Sequence, residues 1–469
     1  MTRYATSLRR RAGACCAVLM LAGTLGACQL APPIAGSVLI PCDQATNRIT
    51  VTADAHLDPN CTYTGGFDIT ASDTTFDCQG ATVANPAHAS VGIVISAPVG
   101  SDLHDVTVKN CHVNGFMNGL KITRPGFRDL PAGGEYEDDL HDIVITESSF
   151  TDTYGVGLYV DGYVTGVSVT HDTIRNAGSS GIYLETGSRG TTVAHNLLLQ
   201  NGYRENGPGG QAFTFSGIDL WFWGVGREGI SVDGSYANTI RDNVFWKNSN
   251  GGVLLYKNCG EYPDRDRYFE RRYPSDDNLI TGNLFADERN GVWVGSRMAE
   301  NTLPMDCTDP AYIDEPLRRV VLDHAEHNTV SDNVFQNVTY GVRVEDDDNS
   351  VTGNSFSAPS PDHHAVIVGT PLRASVLGKP VTGTVVADNT SDIVDNPDPY
   401  RWIDGTTGTT DLGNTALGQP TSVCPGSEPW RSQFIFVIAL AAAGPDGGPP
   451  ATTPDITVPT LGALPPCQP

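Results

Sequence analysis

Lys257 and Arg297 follow two short apolar segments at nearly matching places, and Asp233 closes a similar segment before them. An amine that takes a proton, a guanidinium that neutralises a carboxylate and an acid are the groups needed to remove a proton beside a sugar carboxylate. In that chemistry Lys257 is the base and Arg297 meets the substrate carboxylate. Glu228, Asp233 and Glu261 would offer hard oxygen ligands to Ca²⁺. Tyr159, Tyr183 and Trp293 supply faces on which sugar rings stack, and Asp161, Glu185 and Asp219 supply acceptors for hydroxyls. The same acids, with Asp233 and Glu261, could instead hydrolyse a glycosidic bond, the carboxyl spacing deciding the stereochemistry. A non-catalytic glycan binder needs only the aromatics. The plain alternatives are a surface ion pair of Lys257 and Arg297 with Asp233 or Glu261 and ordinary solvated acids.

These residues are positioned by a repeat. A Gly followed by alternating apolar residues recurs at Gly92, Gly119, Gly157, Gly181, Gly229, Gly252, Gly291 and Gly341, with Ala365 in the last copy. Alternation along a strand sends the first and third residues after Gly to the core and the second and fourth outward. The outward columns read Tyr159, Tyr183, Ser231, Leu254, Trp293, Arg343 and Asp161, Glu185, Asp233, Tyr256, Gly295, Glu345. A second strand lies between these, with Asn243, Asn283, Asn333 and Asn354 in one place and Asn196 and Asp172 equivalent to them. Such short strands cannot bury their apolar faces alone, so the units must stack as a solenoid with an Asn ladder. The rungs run from about Gly92 to about Val368. Long insertions interrupt the repeat at Tyr203 to Glu228, Cys259 to Asp277 and Met298 to His327, the places where solenoids build sites.

From about Phe76 to Phe356 the pattern resembles the right-handed parallel β-helix repeat family, the pectate-lyase-like superfamily, and Thr75 to Thr82 looks like its entry rung. The resemblance implies an all-β right-handed parallel β-helix with an N-terminal cap and an irregular C-terminal segment. A β-sandwich is the rival fold. It further implies an extended polysaccharide or oligosaccharide partner and lyase or C5-epimerase chemistry. Lys257 and Arg297 are similar in kind to the Lys and Arg of the β-helix alginate lyase and chondroitinase B group. The epimerase Asp-Pro-His motif, the pectate-lyase pattern near its catalytic Arg and the polygalacturonase motif set are absent.

The chain divides into a leader over 1–28, a cap over 29–74, the β-helix over 75–370 and a C-terminal segment over 371–469. Arg3 and Arg9 to Arg11 precede an apolar run, Ala12 to Leu25, too short to span a bilayer, which reads as a signal peptide. Leu25-Gly26-Ala27-Cys28 resembles a lipobox, making Cys28 the expected lipid anchor of an exported, envelope-attached protein; ordinary secretion is the alternative. Setting aside Cys15, Cys16 and Cys28, the 11 cysteines leave an even number, as expected for disulfides outside the cytoplasm. Proximity suggests Cys42–Cys61, Cys78–Cys111, Cys259–Cys307 and Cys424–Cys467. The net charge of −25 argues against nucleic acid as a partner, because binding a polyphosphate needs a basic face. A monomer touching the membrane only through its lipid is expected.

Overall fold

A computed structural model describes residues 34–205, 211–215, 218–222, 226–257, 271–295, 298–300, 313–315, 318–322, 324–370, 373–374, 378–403, 408–417 and 425–426. Over these residues the chain is a right-handed parallel β-helix. Each turn of the coil contributes one strand to each of three parallel sheets, of 13 strands (sheet A), 12 strands (sheet C) and 13 strands (sheet B) among the described residues. Sheet A starts at Val38–Ile40, sheet C at Thr62–Tyr63 and sheet B at Ile49–Val51. The ladders therefore begin within the segment expected to be a cap and continue past residue 370, to Thr410–Leu412 in sheet A and Pro425–Gly426 in sheet B.

The Gly-led segments form sheet B. Leu158, Val160, Ile182, Leu184, Ile230, Val232, Val292 and Val294 point into the core and are fully buried. The glycines leave room inside. A Cβ on Gly291 would stand 2.3 Å from the Phe335 ring and one on Gly341 2.3 Å from that of Phe356. Those rings belong to an internal stack, Phe245, Phe285, Phe335 and Phe356, with centroids 4.6–4.8 Å apart and planes within 10° of parallel. The spacing follows the strand separation of a parallel sheet.

From sheet A to sheet C the chain always turns in two residues from Asn110–Cys111 onward. The first residue is left-handed, which Asp, Asn and Gly tolerate best. Asp242, Gly282, Asp332, Gly353, Asp388 and Gly413 alternate there, with φ between 55° and 69°. The second residue builds the ladder. Asn196, Asn243, Asn283, Asn333, Asn354, Asn389 and Asn414 each accept the backbone N–H of the preceding rung through Oδ1. A buried turn backbone is satisfied this way at every level. Two further ladders occupy the other corners: Asn238, Asn278, Asn328 and Asn349 ahead of sheet A, and Asn201, Asn248 and Glu288 ahead of sheet B. The sequence reading found only the first of these.

Cys42 is bonded to Cys61 and Cys78 to Cys111. Cys111 holds the ladder position of its turn, so a covalent link to the preceding rung stands where an amide stands elsewhere. Cys28, Cys259, Cys307, Cys424 and Cys467 lie outside the described residues.

Candidate active site

The site is built on the outer surface of sheet B, where Lys121, Tyr159, Tyr183, Ser231, Leu254, Trp293 and Arg343 are successive register partners. The expectation that this column faces solvent is corrected. Its side chains point away from the core, but Tyr183, Ser231, Leu254, Trp293 and Arg343 are all buried. The acids one step along, Asp161, Glu185, Asp233 and Glu345, are buried too. Insertions flank this surface on both sides. Residues 200–227 separate Leu197–Leu199 of sheet C from Glu228–Asp233 of sheet B, and residues 257–278 separate Gly251–Tyr256 of sheet B from Leu279–Thr281 of sheet A.

A closed polar network occupies the middle of the column. Tyr159 and Tyr183 stack with ring centroids 5.0 Å apart and planes within 8°. The Tyr159 hydroxyl donates to Glu185 Oε2 at 2.5 Å, and the Tyr183 hydroxyl to Asp233 Oδ2 at 2.5 Å. Arg271 Nη1 donates to Glu185 Oε1 at 2.5 Å and to Asp233 Oδ2 at 2.9 Å. Reaching one nitrogen at 2.5 and 2.9 Å, these two oxygens stand no more than 5.4 Å apart. At one edge Asp161 accepts from Thr123 at 2.6 Å and pairs with Lys121 Nζ at 3.0 Å. At the other, Glu228 Oε1 accepts from Ser231 and, at 3.0 Å, from the Tyr256 hydroxyl.

Burial sets the protonation states. It works against ionisation of Glu185, yet the Arg271 guanidinium, the Tyr159 hydroxyl and the Thr186 amide hold that carboxyl below its usual range. Burial, reinforced by Glu185 and Asp161 beside Tyr159 and by Asp233 beside Tyr183, drives both phenols well above theirs. The tyrosines are therefore donors, and Glu185 is a carboxylate held by donors. What reaches the surface is cationic: the Lys121 side chain is 30% exposed, that of Arg272 24% and that of Arg271 14%. Arg272 in turn bonds Glu135 Oε1 at 2.8 Å.

The structure thus brings together Tyr159, Asp161, Tyr183, Glu185 and Asp233 from the sequence reading, with Glu228 beside them. Trp293 lies farther along, under Arg343, whose guanidinium is 3.6 Å from the ring centroid and donates to Glu345 at 2.7 Å. Burial, offset by Glu345, pushes Arg343 down to about 9. Lys257 follows Tyr256, the register partner of Asp233, and is fully buried. Asp219 sits in the hairpin strand Ile218–Phe222, opposite Thr214. Arg297, Glu261 and the side chain of Asp219 lie outside the described residues, so the expected pairing of Lys257 with Arg297 and the Ca²⁺ set do too. Arg271 and Lys121 were missed as site residues. Lys121 was legible, because it stands second after Gly119 in the aligned column; Arg271, at the end of an insertion, has no periodic signal.

A family description, right handed beta helix region, matches residues 72–304. Among solved structures the chain is similar to the A-module of mannuronan C-5 epimerase AlgE6 of Azotobacter vinelandii, at 15% identity and TM-score 0.50, covering 79% of this chain and 89% of that one. It is similar also to the AlgE4 A-module of the same organism, at 13% identity and TM-score 0.45, covering 82% and 92%. The Dettilon tailspike protein aligns at 14% identity and TM-score 0.49, covering 84% of this chain and 62% of that one. No curated protein matches the sequence. These likenesses define the class by fold, a right-handed parallel β-helix, and nothing narrower.

Proposed function

We propose that the chain is a carbohydrate-active β-helix protein that acts on an extended glycan carrying sugar carboxylates, as a polysaccharide lyase or C5-epimerase. The observation that supports this reading is the network of Tyr159, Tyr183, Glu185, Asp233 and Arg271, in which the acids are sequestered while the cations come nearest the surface. A uronate carboxylate approaching the column meets Arg271 and Lys121 first. Neutralising that carboxylate lowers the cost of removing the adjacent C5 proton, because charge moves onto its oxygens in the intermediate. Glu185 and Asp233 fix the guanidinium in place. The proton goes to the base, for which Lys257 remains the candidate, and Tyr159 would break its hydrogen bond to Glu185 to give its proton to the leaving oxygen or to C5, becoming a phenolate that the base's proton restores. Elimination then expels the 4-O-linked sugar, whereas epimerisation reprotonates C5 from the other side. The mannuronan C-5 epimerase module shares the fold, and its chemistry is one of the two outcomes proposed.

Turnover of a panel of uronic-acid and neutral polysaccharides tests this. Lyase action gives unsaturated products that absorb in the ultraviolet, and epimerisation changes the uronate composition without cleavage. Arg271→Ala should lower either rate by about 100-fold or more, on the scale of losing one transition-state donor, with Arg271→Lys between it and wild type. Wild-type turnover in Arg271→Ala would sink the proposal.

A second reading, glycoside hydrolysis, is favoured by the convergence of Glu185 and Asp233, carboxylates of neighbouring rungs, on the same Arg271 nitrogen. It predicts new reducing ends without ultraviolet absorbance, lost in Asp233→Asn. Glycan binding without any product would leave the column as a recognition surface only.

A further inference from the structure

The chain returns to the β-helix from the insertion after Gly295 at His324, and a mixed imidazole and carboxylate cluster sits at that point. His324 Nδ1 is 3.1 Å from Glu326 Oε1 and 4.0 Å from Asp346 Oδ2. Asp276 and His327 form a second group with the same Glu326. Three successive rungs contribute, those of Leu279–Thr281, Thr329–Ser331 and Ser350–Thr352, whose first turns carry Asp276, Glu326 and Asp346. We propose that His324, Glu326 and Asp346 bind a divalent transition-metal ion, zinc by donor type, that fastens the end of the insertion to the following rung.

Ligands about 2.0–2.1 Å from zinc stand roughly 3.3 Å apart in a tetrahedron, which the observed separations approach with little movement. One nitrogen with two carboxylates selects a borderline ion over calcium, which takes oxygen alone. The ligands are already oriented from behind. Asp346 Oδ1 accepts from Arg373 at 2.8 Å and from the Asp347 amide at 3.0 Å, and Oδ2 accepts from the Ala325 amide at 2.7 Å. The Glu326 amide donates to Asp276 Oδ1 at 2.7 Å. Such supports fix ligand orientation in metal sites. Asp346 is deeply buried, while the His324 and Glu326 side chains are 34% and 27% exposed and leave a way in. Two other His and carboxylate groups, Asp73 with His104 and Asp105, and Asp102 with Asp139 and His141, lie on more open surface and have no fully buried carboxylate like Asp346.

Metal-stripped, tag-free full-length protein titrated with zinc chloride by calorimetry, with circular dichroism to check the fold, tests this. Wild type should bind one zinc ion saturably, and His324→Gln and Glu326→Gln, both at partly exposed positions, should bind at least about tenfold more weakly. His141→Gln should bind as wild type does. Absence of saturable zinc binding, wild-type affinity in folded His324→Gln and Glu326→Gln, loss in His141→Gln instead, or a response to calcium but not zinc would each overturn the proposal.

Discussion

Asp172 shows what one atom does in a ladder. At the equivalent place Asn196 donates through Nδ2 to the Val169 carbonyl at 2.8 Å and to Asn243 Oδ1 at 3.0 Å. Asp172 keeps the accepting half, taking the Ser148 amide at 2.7 Å, but its buried Oδ2 lies where a donor belongs and has no partner. Burial, against the Ser148 and Thr170 amides, pushes this carboxyl up from 3.8 to about 8. The folded chain thus keeps a proton that the unfolded chain gives up, so stability falls as pH rises from about 4 to about 8. Asp172→Asn should remove that slope and raise stability at pH 8 by on the order of a few kcal/mol; denaturant unfolding at pH 5 and pH 8 measures both, and equal slopes in the two proteins would refute the assignment. The sequence displayed Asp172 as an Asn equivalent, yet not its protonation, which depends on burial. Arg271 was hidden for a different reason: its partners Glu185 and Asp233 are 86 and 38 residues away, and only the folded insertion brings it to them.

At the level of the strand and turn, much was legible. Gly-led alternation gave the inward and outward columns correctly, because a period of two is imposed by strand geometry itself. The error was to equate outward with exposed. Tyr183, Leu254 and Trp293 point off the sheet and are still buried; Arg343 of the next rung, for one, lies against the Trp293 ring, a contact that alternation does not disclose. The sequence also showed glycines without showing their reason, which is the phenylalanine stack within. Gly341→Ala would place a methyl 2.3 Å from Phe356 and 2.5 Å from the Ala365 carbonyl oxygen. A loss of about 1–3 kcal/mol is expected from such overpacking. Phe356→Leu in the same chain should recover part of it, and a double-mutant cycle in thermal unfolding reads the coupling; strict additivity would dissociate the glycine from the ring.

Across the whole coil, each rung touches its two neighbours, and stability accumulates as a sum of such contacts. The first rungs are reinforced covalently, closing loops with sequence separations of 19 and 33 residues. Each bond should contribute about 3 kcal/mol by restricting the unfolded chain. Replacing Cys78 and Cys111 by Ser should therefore lower the melting temperature, and limited proteolysis should find the earliest cuts in the rungs before Leu140–Thr146. Unchanged melting would show that the amide ladder alone carries that end.

From Asn110–Cys111 onward the two-residue turn from sheet A to sheet C never lengthens in the described rungs, while both corners beside sheet B accept insertions of very different size. One edge of the molecule is thus a ruler and the other two are ports. Heritable change can accumulate at the ports without a new scaffold being found, because the ruler keeps every rung in step whatever is spliced in opposite it. Exchanging residues 258–270 or 206–225, which spare the ladder residues Asn201 and Asn278, for loops of other lengths should then change what the proposed site recognises while leaving folding unchanged.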